Sequence, residues 1–91
     1  MKKITVTITF TGATGGNVTT KILGPHTKIE YLATAGDPPL SFDLAPANYS
    51  IILNGISGGA CDLSVDDEFG NNLVADSCPP THIYIPQVFT I

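Results

Sequence analysis

The chain has 91 residues, of which four are basic, eight acidic and 43% hydrophobic, for a net charge of −4. One domain, residues 1–91, fits this length. A chain without Arg and with an acidic balance lacks the basic surface that nucleic acid requires, and it suits anionic membranes no better. No run approaches the roughly 18 apolar residues of a membrane span.

Lys3 to Thr11 alternate strictly, with Ile4, Val6, Ile8 and Phe10 on one face and Thr5, Thr7, Thr9 and Thr11 on the other. A period of two built from β-branched residues predicts a strand over 3–11. Gly12 to Asn17 read as a loop. Val18, Thr20 and Ile22 mark a second strand over 18–23, which Gly24-Pro25 ends. Residues 27–34 alternate again, with Ile29, Tyr31 and Ala33 on one side, before the break at Gly36-Asp37-Pro38-Pro39. Leu40, Phe42 and Leu44 predict strand four. Pro46-Ala47-Asn48 turns the chain into strand five, carrying Tyr49, Ile51 and Leu53, and Asn54 to Gly59 read as a glycine-rich loop. Cys61, Leu63 and Val65 mark strand six, with Asp67 to Asn72 as an acidic turn after it. Leu73-Val74-Ala75 is a short strand, and Asp76 to Pro80 a loop. Ile83 and Ile85 mark a last strand that Pro86 interrupts before Val88, Phe89 and Ile91.

Seven or eight short strands at this spacing predict an all-β domain, an antiparallel sandwich of Greek-key type. Its expected core is Ile4, Val6, Ile8, Phe10, Leu44, Tyr49, Ile51, Leu63, Val65, Ile83 and Ile85.

Few residues carry a chemical signal. Thr11-Gly12-Ala13-Thr14-Gly15-Gly16 begins like a dinucleotide-binding fingerprint, but the position three after Gly15 is Val18 and a strand follows where a helix is required. His26 and His82 are the only imidazoles, and neither stands in a metal-ligand spacing. A Cys61–His82 nucleophile pair is conceivable, yet Cys61 reads as core. These features predict a protein that is not an enzyme and holds no cofactor. Asn17-Val18-Thr19 and Asn48-Tyr49-Ser50 are glycosylation sequons, patterns short enough to arise by chance.

Asp62, Asp66, Asp67, Glu68 and Asp76, with Asn71 and Asn72, form the one dense polar cluster, and oxygen ligands in a turn suit Ca²⁺. The spacing does not match an EF-hand loop. The reading favoured here is a solvated hairpin tip that also discourages edge aggregation.

Cys61 and Cys78 are the only cysteines, and a bridge between them would depend on the redox state of a compartment that the chain does not name. An extracytoplasmic home is favoured by the charged fraction of 13%, about half that of ordinary soluble domains. Met1-Lys2-Lys3 lacks the apolar run that would complete a signal peptide. The charges are also segregated. All four Lys lie in residues 1–28, and all eight acids follow, so +4 and −8 sum to −4. The expectation is a monomer at physiological salt with a partner-binding edge on strand one or the C-terminal strand, because uncovered edge strands invite pairing.

One stretch, Phe42-Asp43-Leu44-Ala45-Pro46-Ala47-Asn48-Tyr49-Ser50-Ile51, resembles the "Phe-x-Leu-x-Pro-Gly-x-Tyr-x-Leu" hairpin of carboxypeptidase regulatory-like and collagen-adhesin B-type domains. Leu44 ends one strand, Pro46 presets φ for the turn, and Tyr49 opens the return strand. Ala47 stands in place of the family's glycine, and Asn48 follows it, a residue that tolerates the left-handed region. The resemblance covers residues 42–51 and implies a transthyretin-like sandwich serving as a non-catalytic stalk, spacer or assembly module. A glycan- or calcium-binding module using residues 62–76 is the alternative, and a small enzyme the second alternative.

Overall fold

The computed structural model describes residues 1–12 and 15–91. Ala13 and Thr14, the middle of the glycine-rich Thr11–Gly16 stretch, lie outside the described residues. Eight strands follow in chain order: β1 (Lys2–Phe10), β2 (Gly16–Gly24), β3 (Thr27–Thr34), β4 (Leu40–Leu44), β5 (Asn48–Ser57), β6 (Cys61–Asp67), β7 (Asn72–Cys78) and β8 (Thr81–Thr90). They form two four-stranded antiparallel sheets packed face to face, in the orders β4-β1-β6-β7 and β3-β2-β5-β8. We call these the first and the second sheet. The protein is an all-β sandwich. Only β2–β3 and β6–β7 are hairpins within one sheet, so most pairing is between strands distant in sequence.

The alternation read from the sequence is the alternation of the core. Ile4, Val6, Leu44, Tyr49, Ile51, Leu63, Val65, Ile83 and Ile85 are buried between the sheets, joined by Val18, Ile22, Leu53, Val74 and Phe89. Ile8 and Phe10 depart from the expectation and are only half-buried. The cause lies in β4. Its ladder with β1 runs only from Lys2↔Leu44 to Val6↔Leu40. The next partner of Ile8 would be Pro38, and proline has no N–H to donate. The strand stops there, and an open cavity of about 220 Å³ lies against Val6, Ile8, Tyr31, Ala33, Pro38 and Leu40.

Four elements, β2, β5, β7 and β8, are longer than predicted. β5 continues through Asn54, Gly55 and Ile56 to Ser57, where the sequence reads as a loop. Gly55 is needed because β2 crosses it closely: a Cβ there would collide with the Asn17 carbonyl. β7 runs to Cys78 rather than ending at Ala75. β8 passes unbroken through Pro86, which an edge strand tolerates. The first strand is shifted by one residue at each end, and β2 begins at Gly16 rather than at 18.

Residues 42–51 do not form the hairpin expected from the sequence: β4 and β5 do not pair, and the turn between them carries the chain from the first sheet to the second. Tyr49 fixes it, donating its hydroxyl to the Ala45 carbonyl at 2.6 Å, while its ring stacks on Phe89 with centroids 5.4 Å apart. Gly24 lies against that ring, and a Cβ at Gly24 would strike it.

Candidate functional site

The acidic segment resolves into a tied turn. Asp67 is buried, and its carboxylate accepts hydrogen bonds from the Phe69 N–H, the Asn71 N–H and the Asn71 side-chain amide, each at 2.9 Å. Gly70 takes a positive φ of 84° at the tip, the left-handed region that glycine enters without strain. The Asn71 side chain, with the two backbone donors, holds the Asp67 carboxyl below the usual carboxylate range. Its oxygens are thus committed to the turn. Asp66 accepts from the Ser64 hydroxyl and from Asn72. Asp76 accepts from the Gln87 amide at 2.7 Å and from the Ser77 N–H. Asp62 and Glu68 are exposed, and Asp62 lies opposite Thr9 and Ser77. Among the described residues no group of three or more His, Cys, Asp or Glu side chains converges as metal ligands.

Cys61 and Cys78 are direct partners in the β6–β7 ladder, and both thiols are free. Cys61 is fully buried. Burial, helped by the charge of Asp62, pushes its thiol up to about 11. A reactive cysteine requires the opposite shift. The Cys78 thiol instead donates to the His82 carbonyl at 3.5 Å. His26 lies exposed in the β2–β3 turn, and His82 is exposed at the start of β8.

Thr20, inside the second sheet, has a buried hydroxyl without a hydrogen-bond partner among the described residues. Tyr31 lies opposite it in the β2–β3 ladder. Burial pushes the Tyr31 phenol up to about 12, and the Thr20 hydroxyl moderates that rise without reaching hydrogen-bonding geometry.

The outer faces of the two sheets differ in kind. The first presents Thr5, Thr7 and Thr9 beside Ser41, Asp43, Asp62, Ser64, Asp66 and Ser77, a surface of hydroxyls and carboxylates. On the second, Thr19, Lys21, Lys28, Glu30 and Asn54 make the β2–β3 side polar, while on the β5–β8 side Tyr84, Pro86 and Val88 of β8 lie beside Ile52 and Ile56 of β5, with Tyr84 55%, Ile56 63% and Val88 72% exposed.

The four strand edges differ as well. β4 is five residues long, follows two prolines and carries Asp43. β3 carries Lys28 and Glu30, and β7 carries Asp76 and pairs with β6 through an irregular register at Val65/Asp66. Short length, charge and bulges all discourage pairing with another chain. β8 spans ten residues, Thr-His-Ile-Tyr-Ile-Pro-Gln-Val-Phe-Thr, without an acid or a lysine. Its one guard is Pro86. The Ile91 N–H donates to the Ala47 carbonyl at 3.1 Å, which sets the phase of the β5–β8 ladder. Odd residues of β8 bond to β5, so the backbone groups of His82, Tyr84, Val88 and Thr90 point to the free edge. At position 86 the proline has no N–H to leave unpaired.

This edge and its apolar flank were legible in part; strand one, the other edge expected, is interior, paired with β4 on one side and β6 on the other. The final strand and its apolar residues stand out in the sequence, but only the sheet order shows that β8 is an edge and that the other edges are guarded. Comparison with protein-family models, curated proteins and solved structures finds no significant match to this chain.

Proposed function

We propose that the protein is a non-catalytic structural or protein-interaction module, a stalk, spacer or assembly component, which takes an extended segment of another protein along β8. The observation that carries this reading is the contrast among the edges: three bear charge, shortening or irregularity, and β8 bears a single proline. An added strand would find main-chain groups at His82, Tyr84, Val88 and Thr90, and its outward side chains would lie beside Tyr84, Pro86 and Val88, extending the apolar strip that Ile52 and Ile56 begin. Pro86 disfavours pairing of β8 with a second copy of itself, because the antiparallel register that matches the edge-facing residues His82 to Thr90 sets proline against proline. A monomer with a heterologous partner follows.

The local chemistry supports a non-catalytic role. The one buried thiol is shifted away from reactivity, and the acidic residues are bound into their own turn. The resemblance of residues 42–51 to transthyretin-like modules agrees with this, and the Tyr49–Ala45 hydrogen bond gives the turn between β4 and β5 a physical role.

Selecting strand-forming peptides from a random displayed library and mapping them by amide hydrogen exchange tests the reading. Bound peptides should protect the amides of His82, Tyr84, Val88 and Thr90 at least tenfold, and Val88→Lys together with Tyr84→Lys should abolish binding. Peptides that protect β3 or β4 instead would overturn it. So would a dimer that persists at high salt, since the apolar strip would then serve self-association.

A further inference from the structure

We propose that Cys61 and Cys78 are a reversible disulfide site, closed by a low-molecular-weight disulfide of the oxidised-glutathione class. Three observations carry this. The two residues are register partners, so they share one face of the first sheet. The β1–β6 pairing fixes their geometry further. The Thr11 N–H donates to the Ala60 carbonyl at 2.9 Å, so the backbone groups of Cys61 turn towards β7. Cys61 and Cys78 are then a hydrogen-bonded pair, with Cα atoms about 5.5 Å apart, inside the Cα range of natural disulfides; the Cβ atoms of such a pair stand wider than a relaxed bridge prefers, so the bond closes under strain and is readily reduced. Finally, their access differs. Cys61 has no exposed surface, whereas Cys78 is half-buried on the edge strand β7.

That asymmetry assigns the order of events. The Cys78 thiolate attacks one sulfur of the small disulfide, forming a mixed disulfide and releasing one thiol. Cys61 then attacks Cys78 Sγ through its small thiolate fraction, the slower step because burial raises its pKa, and its proton ends on the second small thiol that is released. Two protein thiols are oxidised and one small disulfide is reduced to two thiols. Cys78 Sγ must turn from the His82 carbonyl towards Cys61, a change in one side chain on an edge strand. The closed loop would tie the β6–β7 hairpin at the end opposite the acidic turn.

The experiment treats the folded protein with excess oxidised glutathione, follows intact mass and thiol count, and then adds dithiothreitol. The expected result is loss of both thiols, a mass lower by about two hydrogens, no covalent dimer, and a rise in Tm of about 10 °C or more that dithiothreitol reverses. Cys61→Ala should stop at a stable glutathione adduct on Cys78. Cys78→Ala should remain unmodified at Cys61, and it keeps the test valid if Cys61→Ala does not fold. A persistent adduct on wild-type Cys78 beside a free Cys61, an intermolecular disulfide, or no reaction in the folded state would each overturn the assignment.

Discussion

Thr20→Val should stabilise the protein, although it removes a polar group from a β-strand. The Thr20 hydroxyl is fully buried and has no partner. Such a group loses its water on folding and, near the Tyr31 hydroxyl but outside hydrogen-bonding geometry, is not compensated in full, at a cost of about 1–3 kcal/mol. Valine has nearly the same shape and the same β-branched preference for a strand. The substitution therefore removes the desolvation cost without creating a cavity, and an expected gain of about 1–2 kcal/mol corresponds to a Tm higher by about 5–15 °C. Thr20→Ser is the control. It keeps the unpaired hydroxyl and deletes a methyl, so it should destabilise by about 1 kcal/mol. Urea unfolding of both variants gives the free energies directly. The result that refutes the reasoning is a loss of stability in Thr20→Val. If Tyr31→Phe also loses stability and the double variant loses no more than either single one, then the Thr20 and Tyr31 hydroxyls bond to each other in solution.

Gly59→Ala should destabilise by about 3 kcal/mol, because its Cβ would overlap the Thr11 carbonyl, and Thr11 is held there by two hydrogen bonds to Ala60; a Tm unchanged within error would show that the two segments separate freely. Tyr49→Phe should cost about 1 kcal/mol, the bond to Ala45, with the stack on Phe89 kept; chemical denaturation reads the difference. Asp67 has a folded pKa below its unfolded one, so its contribution to stability is present above the ordinary carboxylate range and is lost as pH falls through the depressed value. Asp67→Ala should therefore flatten the dependence of Tm on pH between about pH 5 and 2, and an unaltered slope would place the acid sensitivity elsewhere. Millimolar Ca²⁺ should leave Tm unchanged, because the Asp67 oxygens already accept three hydrogen bonds; a rise that EDTA reverses would return the acidic turn to the list of cation sites.

The sequence by itself determined what depends on near neighbours. The alternation of Ile4, Val6 and Ile8 with threonines is a local property, since successive side chains of a strand point to opposite faces whatever the strand pairs with. The positions of β1, β3, β4 and β6, the apolar face of each strand and the turn before Tyr49 all follow from it, but the hairpin expected there does not, because β4 and β5 pair in different sheets. The ends of β5 and β7, and the passage of β8 through Pro86, do not. Gly55 reads as a turn residue, but it is a strand residue beside which the Asn17 carbonyl passes closely. Pro86 reads as a break, but a proline interrupts a ladder only if its missing N–H was required, and that depends on which strand lies alongside. The acidic cluster reads as a set of free oxygens until the fold shows that Asp67 closes its own turn. The juxtaposition of Cys61 and Cys78, the polarity contrast between the two outer faces and the single lightly guarded edge are likewise properties of register and sheet order. Only the tertiary structure decides them, because pairing partners far apart in sequence are selected by burial of all the apolar faces together, which no one segment specifies.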